Sequence, residues 1–369
     1  MIYIHIPFCH RKCSYCAFYS KVESGRLKVE RYVDALLEEM ASRCNEQTMP
    51  VRTVYFGGGT PSILEINELK RIVDGLRTCF DLHGVEEATL ECNPEDLTPE
   101  YLDDLRKLHF FNRLSVGVQS FDERLLRTIN RRHSPQQAIE SVKNACDAGF
   151  ENVTIDLIYG LPGQTMADWQ ATLAQATALP VKHISAYSLT VEEGTILAAQ
   201  MGQGRVTLPS ESLQIEMYGA LLEHLALAGF EQYEISNFSL PGYRSRHNSR
   251  YWDRTPYLGL GAAAHSFDGQ RRRWNVADVE RYCALHSFEE EILDEKDAYN
   301  ELLMLRLRTV EGINEKAIPS QFRDGFLRKV EPMVDRGWLV YDEGCYCATY
   351  EGLLHADGMA SELFVLEET

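Results

Sequence analysis

The first half of the chain switches repeatedly between two hydrophobic periods. Short runs rich in β-branched and aromatic residues, at 2–6, 53–56, 88–91, 113–118, 153–158 and 183–189, read as strands. Between them, apolar residues recur at helical spacing. Tyr32, Leu36, Leu37 and Met40 form one such stripe, best placed in a core. Ser134-Pro135 reads as an N-cap followed by proline at the first helical position, with Gly149 just past the end. Thr165 with Asp168 reads as a capping box ahead of Trp169, Leu173 and Ala176. Strands alternating with helices predict an α/β fold with a parallel sheet, curved into a partial, TIM-like (β/α)6 barrel. Functional loops then belong at the C-terminal strand ends.

After about residue 205 the rhythm changes. A helix over 210–228 stops at Gly229, and an irregular stretch rich in aromatic and polar residues follows over 237–268. From about residue 297 the pattern is helix, helix, then short strands at 338–341 and 346–349 around Gly344. This predicts a smaller α+β unit of winged-helix type. The expected division is a barrel over 1–205, a barrel extension over 206–290 and a C-terminal unit over 291–369.

Composition narrows the function classes. With 44% hydrophobic and 25% charged residues the chain is globular. Lys and Arg number 37 against 55 Asp and Glu, a net charge of −18 that argues against nucleic acid as the main partner. The tract Arg271-Arg272-Arg273 is the one local exception noted. The start of the chain lacks the features of a secretory leader, and no run of 18 apolar residues marks a membrane span. A cytoplasmic protein is expected; association at a membrane surface and homodimerisation stay open.

The ten cysteines are uneven, with Cys9, Cys13 and Cys16 together and the rest dispersed. Ten are too few for a disulfide scaffold at this length, so the pattern reads as a reducing compartment with a metal or redox site. Three thiols in one loop after the first strand suit an iron–sulfur cluster with one open iron. A zinc site closed by His5 or His10 is the alternative.

Polar residues mark the ends of the other strands. Gly57-Gly58-Gly59-Thr60-Pro61 closes the second, and its bare backbone would let a ligand approach closely. Glu91, Gln119 and Asp156 end or interrupt later strands, and Arg131 precedes a helix. Singly each is an ordinary structural residue. Together, at one rim, they describe a pocket for a polar, zwitterionic cofactor.

The spacing Cys9-x3-Cys13-x2-Cys16 resembles the signature of the radical S-adenosylmethionine (SAM) superfamily. The wider order resembles one branch of it: YxHxPFCxxxCxYC from Tyr3, GGGTPS, ECNPE, SxGVQSFD, NRxH, IDLIYGLPGQT and AYSLTVEEGT. That branch contains the oxygen-independent coproporphyrinogen III dehydrogenases and the HemW-type heme chaperones. The resemblance implies a [4Fe–4S] cluster on Cys9, Cys13 and Cys16. It also implies SAM contacts at Tyr3, Gly58, Glu91, Gln119, Arg131 and Asp156, with Tyr15, Gly59 and Thr60 beside them. Arg131, whose fork matches a carboxylate, would take that group of SAM.

Two features favour the chaperone type. The dehydrogenases carry a fourth cysteine two positions past the third, where this chain has Phe18. The chaperones carry HNxxYW, matched by His247-Asn248-Ser249-Arg250-Tyr251-Trp252. His247 would then offer an imidazole to heme iron while the aromatic residues supply flat faces. Ala17 stands where the family often has Asp, at a position that binds no iron. The resemblance implies heme as ligand and a recipient hemoprotein as partner. Its rival is an enzyme that oxidatively decarboxylates coproporphyrinogen III.

Overall fold

The computed structural model describes residues 1–22, 25–47 and 49–366. Six strands build the centre: β1 (Ile2–Ile6), β2 (Thr53–Gly58), β3 (Glu87–Cys92), β4 (Arg113–Gln119), β5 (Asn152–Tyr159) and β6 (His183–Ser188). Each pairs in parallel with the next. Helices α1 (Arg26–Ser42), α2 (Ile66–Cys79), α3 (Pro99–Lys107), α4 (Pro135–Asp147) and α5 (Met166–Thr177) connect them. The expected N-cap at Ser134 and capping box of Thr165 with Asp168 are present, and Ser134 also forms a capping box with Gln137, so α4 and α5 start where side chains satisfy free backbone N–H groups.

The strands have two chemically different faces, because side chains alternate along each of them. Ile2, Ile4 and Ile6, Val54 and Phe56, Leu114 and Val116, and Ile155 and Leu157 are fully buried on the helix side. There they share one core with Leu36, Ile72, Val142 and Leu173. Burying each such side chain contributes roughly 1.5–3 kcal/mol, so this face supplies the strength of the fold. The alternate positions, among them Tyr55, Glu91, Ser115, Asp156 and Ser185, point the other way and line an interior cavity.

The stretch expected to be irregular, 237–268, is ordered and extends the sheet at both edges. The antiparallel strands Glu231–Glu234 and Asn237–Ser239 add beyond β6, while Leu258–Leu260 adds in parallel beside β1. Both additions are too short for a clear period of two, which hid them in the sequence. The nine-stranded sheet stays open, since its edge strands Leu258–Leu260 and Glu231–Glu234 are not paired to each other. A hairpin follows, in which Arg271–Asn275 pairs with Phe288–Ile292. It sets Arg272 against Glu291 and Arg273 against Glu290, so glutamates face the basic tract directly.

The C-terminal unit has its own core, with Tyr299, Leu303, Phe326, Val330, Met333 and Met359 at its centre. Helices Glu295–Arg306 and Ser320–Asp335 precede the strands Leu339–Asp342 and Cys345–Ala348. Glu343 and Gly344, both at positive φ, form the two-residue turn between those strands. Among the described residues no helix is long and apolar enough to cross a membrane.

Candidate functional site

The loop that follows β1 carries the three thiols, and several distant elements pin it. Ser14 N–H donates to the Ile129 carbonyl at 3.1 Å, and Leu197 N–H donates to the Ser14 carbonyl at 2.8 Å. The Asn130 amide donates to the Lys12 carbonyl at 2.8 Å, from a backbone held at φ 61°. Cys9, Cys13 and Cys16 thereby line one cavity of about 390 Å³ at the C-terminal end of the strands. Thr60 Oγ1 donates to Cys9 Sγ at 3.5 Å, and Arg131 Nη1 donates to Cys13 Sγ at 3.4 Å. Burial pushes the Cys9 and Cys16 thiols up, so they stay protonated until a metal displaces the proton. Among the described residues no three His, Cys, Asp or Glu side chains converge on a single metal ion.

The glycine loop does something other than expose its donors. Gly58 N–H donates to Glu91 Oε2 at 3.2 Å, while Gly59 N–H and Thr60 N–H donate to the Ile6 and Phe8 carbonyls at 2.8 Å each. The expectation of a bare backbone is thus corrected, because the N–H groups fasten the glycine loop to the cysteine loop. Glycine is required for that closeness. Gly58 sits at φ 114°, and a Cβ there would lie 2.6 Å from the His5 ring; at Gly59 it would lie 2.6 Å from the Phe8 carbonyl oxygen.

The polar groups expected at the rim meet in this cavity. Glu91 accepts from Tyr55 Oη at 2.7 Å, and burial, with Asp156 nearby, raises its carboxyl to about 7 despite that bond. Asp156 is raised by burial too, with Ser115 Oγ 3.2 Å from its Oδ2. Gln119 reaches the cavity through a break in the register of β4 and a backbone at φ 66°, a left-handed conformation that re-aims its side chain. Arg131 donates to Asn93 Oδ1 at 2.8 Å and to the Gly117 carbonyl, and its buried Nε has no partner among the described residues. That orphan donor, in a wall with three thiols, fits a carboxylate-bearing ligand. Tyr15, Gly58, Gly59 and Thr60 line the same space.

Two expected residues stand elsewhere. Tyr3 lies beneath the cavity, its hydroxyl 3.0 Å from His5 Nδ1 and its ring stacked on Tyr55, so it supports the floor without lining the space. His247 is a core residue with no exposed surface. Its Nδ1 lies 2.9 Å from Thr53 Oγ1 and its Nε2 lies 3.1 Å from Tyr251 Oη, while its ring stacks on Tyr55. Burial lowers its pKa to about 3, and neither ring nitrogen is left for iron. The sequence placed it in an irregular stretch, whereas it lies on the short helix Arg246–Trp252, and nothing in the sequence signalled that both nitrogens were occupied.

Sequence reasoning also missed Arg113, which is buried in the cavity wall with Nε and Nη1 unpartnered among the described residues. The signal was present. Arg113, Ser115, Gly117 and Gln119 follow at intervals of two and all face the cavity. Asn93 was missed as well, although it bridges Arg131 and Thr60, donating to Thr60 Oγ1 at 3.3 Å.

Comparison with known proteins accords with this architecture. The radical SAM superfamily model matches residues 3–176, and the HemN C-terminal domain model matches residues 293–355. The heme chaperone HemW of Lactococcus lactis is 38% identical over 328 residues, covering 88% of this chain and 85% of that protein. HemW of Bacillus subtilis is 35% identical, covering 95% and 96%. Among solved structures, coproporphyrinogen III oxidase (HemN) of Escherichia coli, described as a radical SAM enzyme, superposes with a TM-score of 0.85 at 25% identity, over 99% of this chain and 89% of that one. The chain therefore belongs to the radical SAM superfamily and, within it, to the HemW family.

Proposed function

We propose that the chain is a heme chaperone that holds a [4Fe–4S] cluster on Cys9, Cys13 and Cys16, binds SAM beside it, and passes heme to a recipient hemoprotein in a reducing cytoplasm. The observation that carries the reading is the likeness to HemW proteins over nearly the whole chain, 35–38% against 25% for the solved HemN enzyme. Phe18 agrees with it: an exposed aromatic ring at the cavity mouth stands where the dehydrogenases place a fourth cysteine.

When bound, the cluster and SAM supply the one-electron chemistry common to the superfamily. The chain's own residues bind and orient. Arg131 lines the ligand space with its buried Nε unpartnered, while Nη1 of the same side chain holds Cys13. Glu91, fixed by Tyr55 and Gly58, offers a carboxyl able to accept from ribose hydroxyls. Asp156 and Gln119 close the far side.

The second reading is oxidation of coproporphyrinogen III, favoured by the close superposition on HemN. Anaerobic incubation of the cluster-loaded protein with coproporphyrinogen III, SAM and a reductant separates the two. The chaperone reading predicts no vinyl product; stoichiometric conversion of propionate to vinyl groups overturns it.

A further inference from the structure

One charge in the wall of the cysteine cavity has no counterpart. Arg113 opens β4, is only 1% exposed and lines the cavity, yet it makes no ion pair among the described residues. Its Nε and Nη1 have no hydrogen-bond partner there either. Thr89, its register partner on β3, shares the strand face of Glu91 and also keeps a buried, unpartnered hydroxyl.

The acids around Arg113 are spent on other donors. Glu87 accepts from Ser245 Oγ at 3.4 Å and from the backbone N–H groups of Arg246 and His247 at 2.9 and 2.8 Å. Asp156 accepts from Ser115 Oγ at 3.2 Å, and Glu91 accepts from Tyr55 Oη and Gly58 N–H. Burial opposes the charge of Arg113, but Glu87 first and Asp156 further down act on it at longer range and hold the guanidinium above its ordinary pKa. The group is therefore a permanent cation. Burying such a cation with spare donors is costly, so at a cavity wall it marks a place for an anion.

The chemistry of that anion follows from the donors and the space. A planar guanidinium matches a carboxylate, and the Thr89 hydroxyl has a proton to donate beside it. SAM carries a single carboxylate, and Arg131 at the thiol wall suits it. Arg131 is tied to the Gly117 carbonyl, whereas Arg113 begins the same strand four residues earlier, about 13 Å along the backbone. The cavity measures about 390 Å³, near the lower end for small-ligand sites, so with SAM in place only a short-chain acid fits. We propose that Arg113 anchors the carboxylate of a small organic acid, bound beside SAM as a co-substrate. The proposal goes beyond heme delivery and rests on SAM occupying the rest of the same cavity.

The test uses the cluster-loaded full chain in chloride-free buffer, titrated anaerobically with acetate and with acetamide, its neutral counterpart. Binding is followed by saturation-transfer NMR with and without saturating SAM. Acetate binds saturably in both conditions, and acetamide binds more weakly by roughly tenfold or more, the size of a lost charge-assisted contact. Arg113→Gln loses a similar factor for acetate, keeps its iron content, and holds SAM within about threefold of the native affinity. Arg113→Lys, which keeps the charge without the planar fork, falls between the two. Equal binding of acetate and acetamide overturns the proposal without any variant, and so does an absence of saturable acetate binding. Displacement of acetate by SAM, or a matching loss of SAM affinity in Arg113→Gln, overturns it too, because the guanidinium would then serve SAM itself. Unchanged acetate affinity in Arg113→Gln has the same consequence. If the native chain binds no SAM, the cofactor reading falls, while acetate binding without SAM still reads the anion site.

Discussion

Cys16 and its two partners face the same cavity as Arg131, and the chemistry assigned to them is the most exposed to test. Anaerobic reconstitution should give about four irons and four acid-labile sulfides per chain, and Cys13→Ala or Cys16→Ala almost none. One zinc per chain without sulfide would contradict this. His247→Ala, by contrast, acts on the fold. It leaves Thr53 and Tyr251 without their buried partner and opens a void against Tyr55, so unfolding free energy should drop by roughly 2–4 kcal/mol in denaturant titrations. Glu91 carries a pH signature. Its carboxyl is raised to about 7, so between the ordinary carboxylate range and pH 7 the folded chain binds more protons than the unfolded one. Stability attributable to Glu91 is therefore greatest in acid and declines as pH rises through that window. Glu91→Gln removes the decline, shifting relative stability in favour of the variant at pH 8 over pH 5 by at most about 3 kcal/mol. Parallel stability-versus-pH curves for the two proteins would contradict the assignment.

At the scale of elements, the strand ends decide what the cavity can bind. Gln119 is aimed by a left-handed backbone at the end of β4, so the usual ranking of substitutions at a strand position should invert. Gln119→Gly should be more stable than Gln119→Ala by about 1 kcal/mol in thermal or chemical unfolding, and both should lose SAM affinity. Those elements were largely legible in the sequence. The six central strands appear within a residue or two of where the apolar runs placed them, β2 to β5 somewhat longer and β6 one residue shorter, because each apolar outer face packs on helices and leaves a period of two. The edge strands near Asn237 and Leu258 were not legible, since three-residue strands show no period and are held by pairing alone. The same limit applies at the site. Residues that share a strand face could be grouped from spacing, including the overlooked Arg113. The burial of His247 against Thr53 and Tyr251 depends on elements distant in the chain and has no local trace.

Across the whole molecule, chemistry is divided between the two ends of one sheet. One end gathers thiols, glycines and acids around a space suited to a cluster and a zwitterion; the other gathers arginines around an apolar wall. The acidic total hides this division, and the arginine tract at Arg271–Asn275, which might have signalled nucleic acid, is answered by glutamates across the hairpin. A C-terminal unit with its own core packs against the sheet extension through Arg308–Glu234 and Arg306–Asp253. Carrying heme is the function proposed for this architecture. The most direct measurement is an anaerobic equilibrium titration of the cluster-loaded chain with hemin. Saturable binding near one heme per chain is expected, with the iron–sulfur absorbance retained. Absence of saturable binding would contradict it.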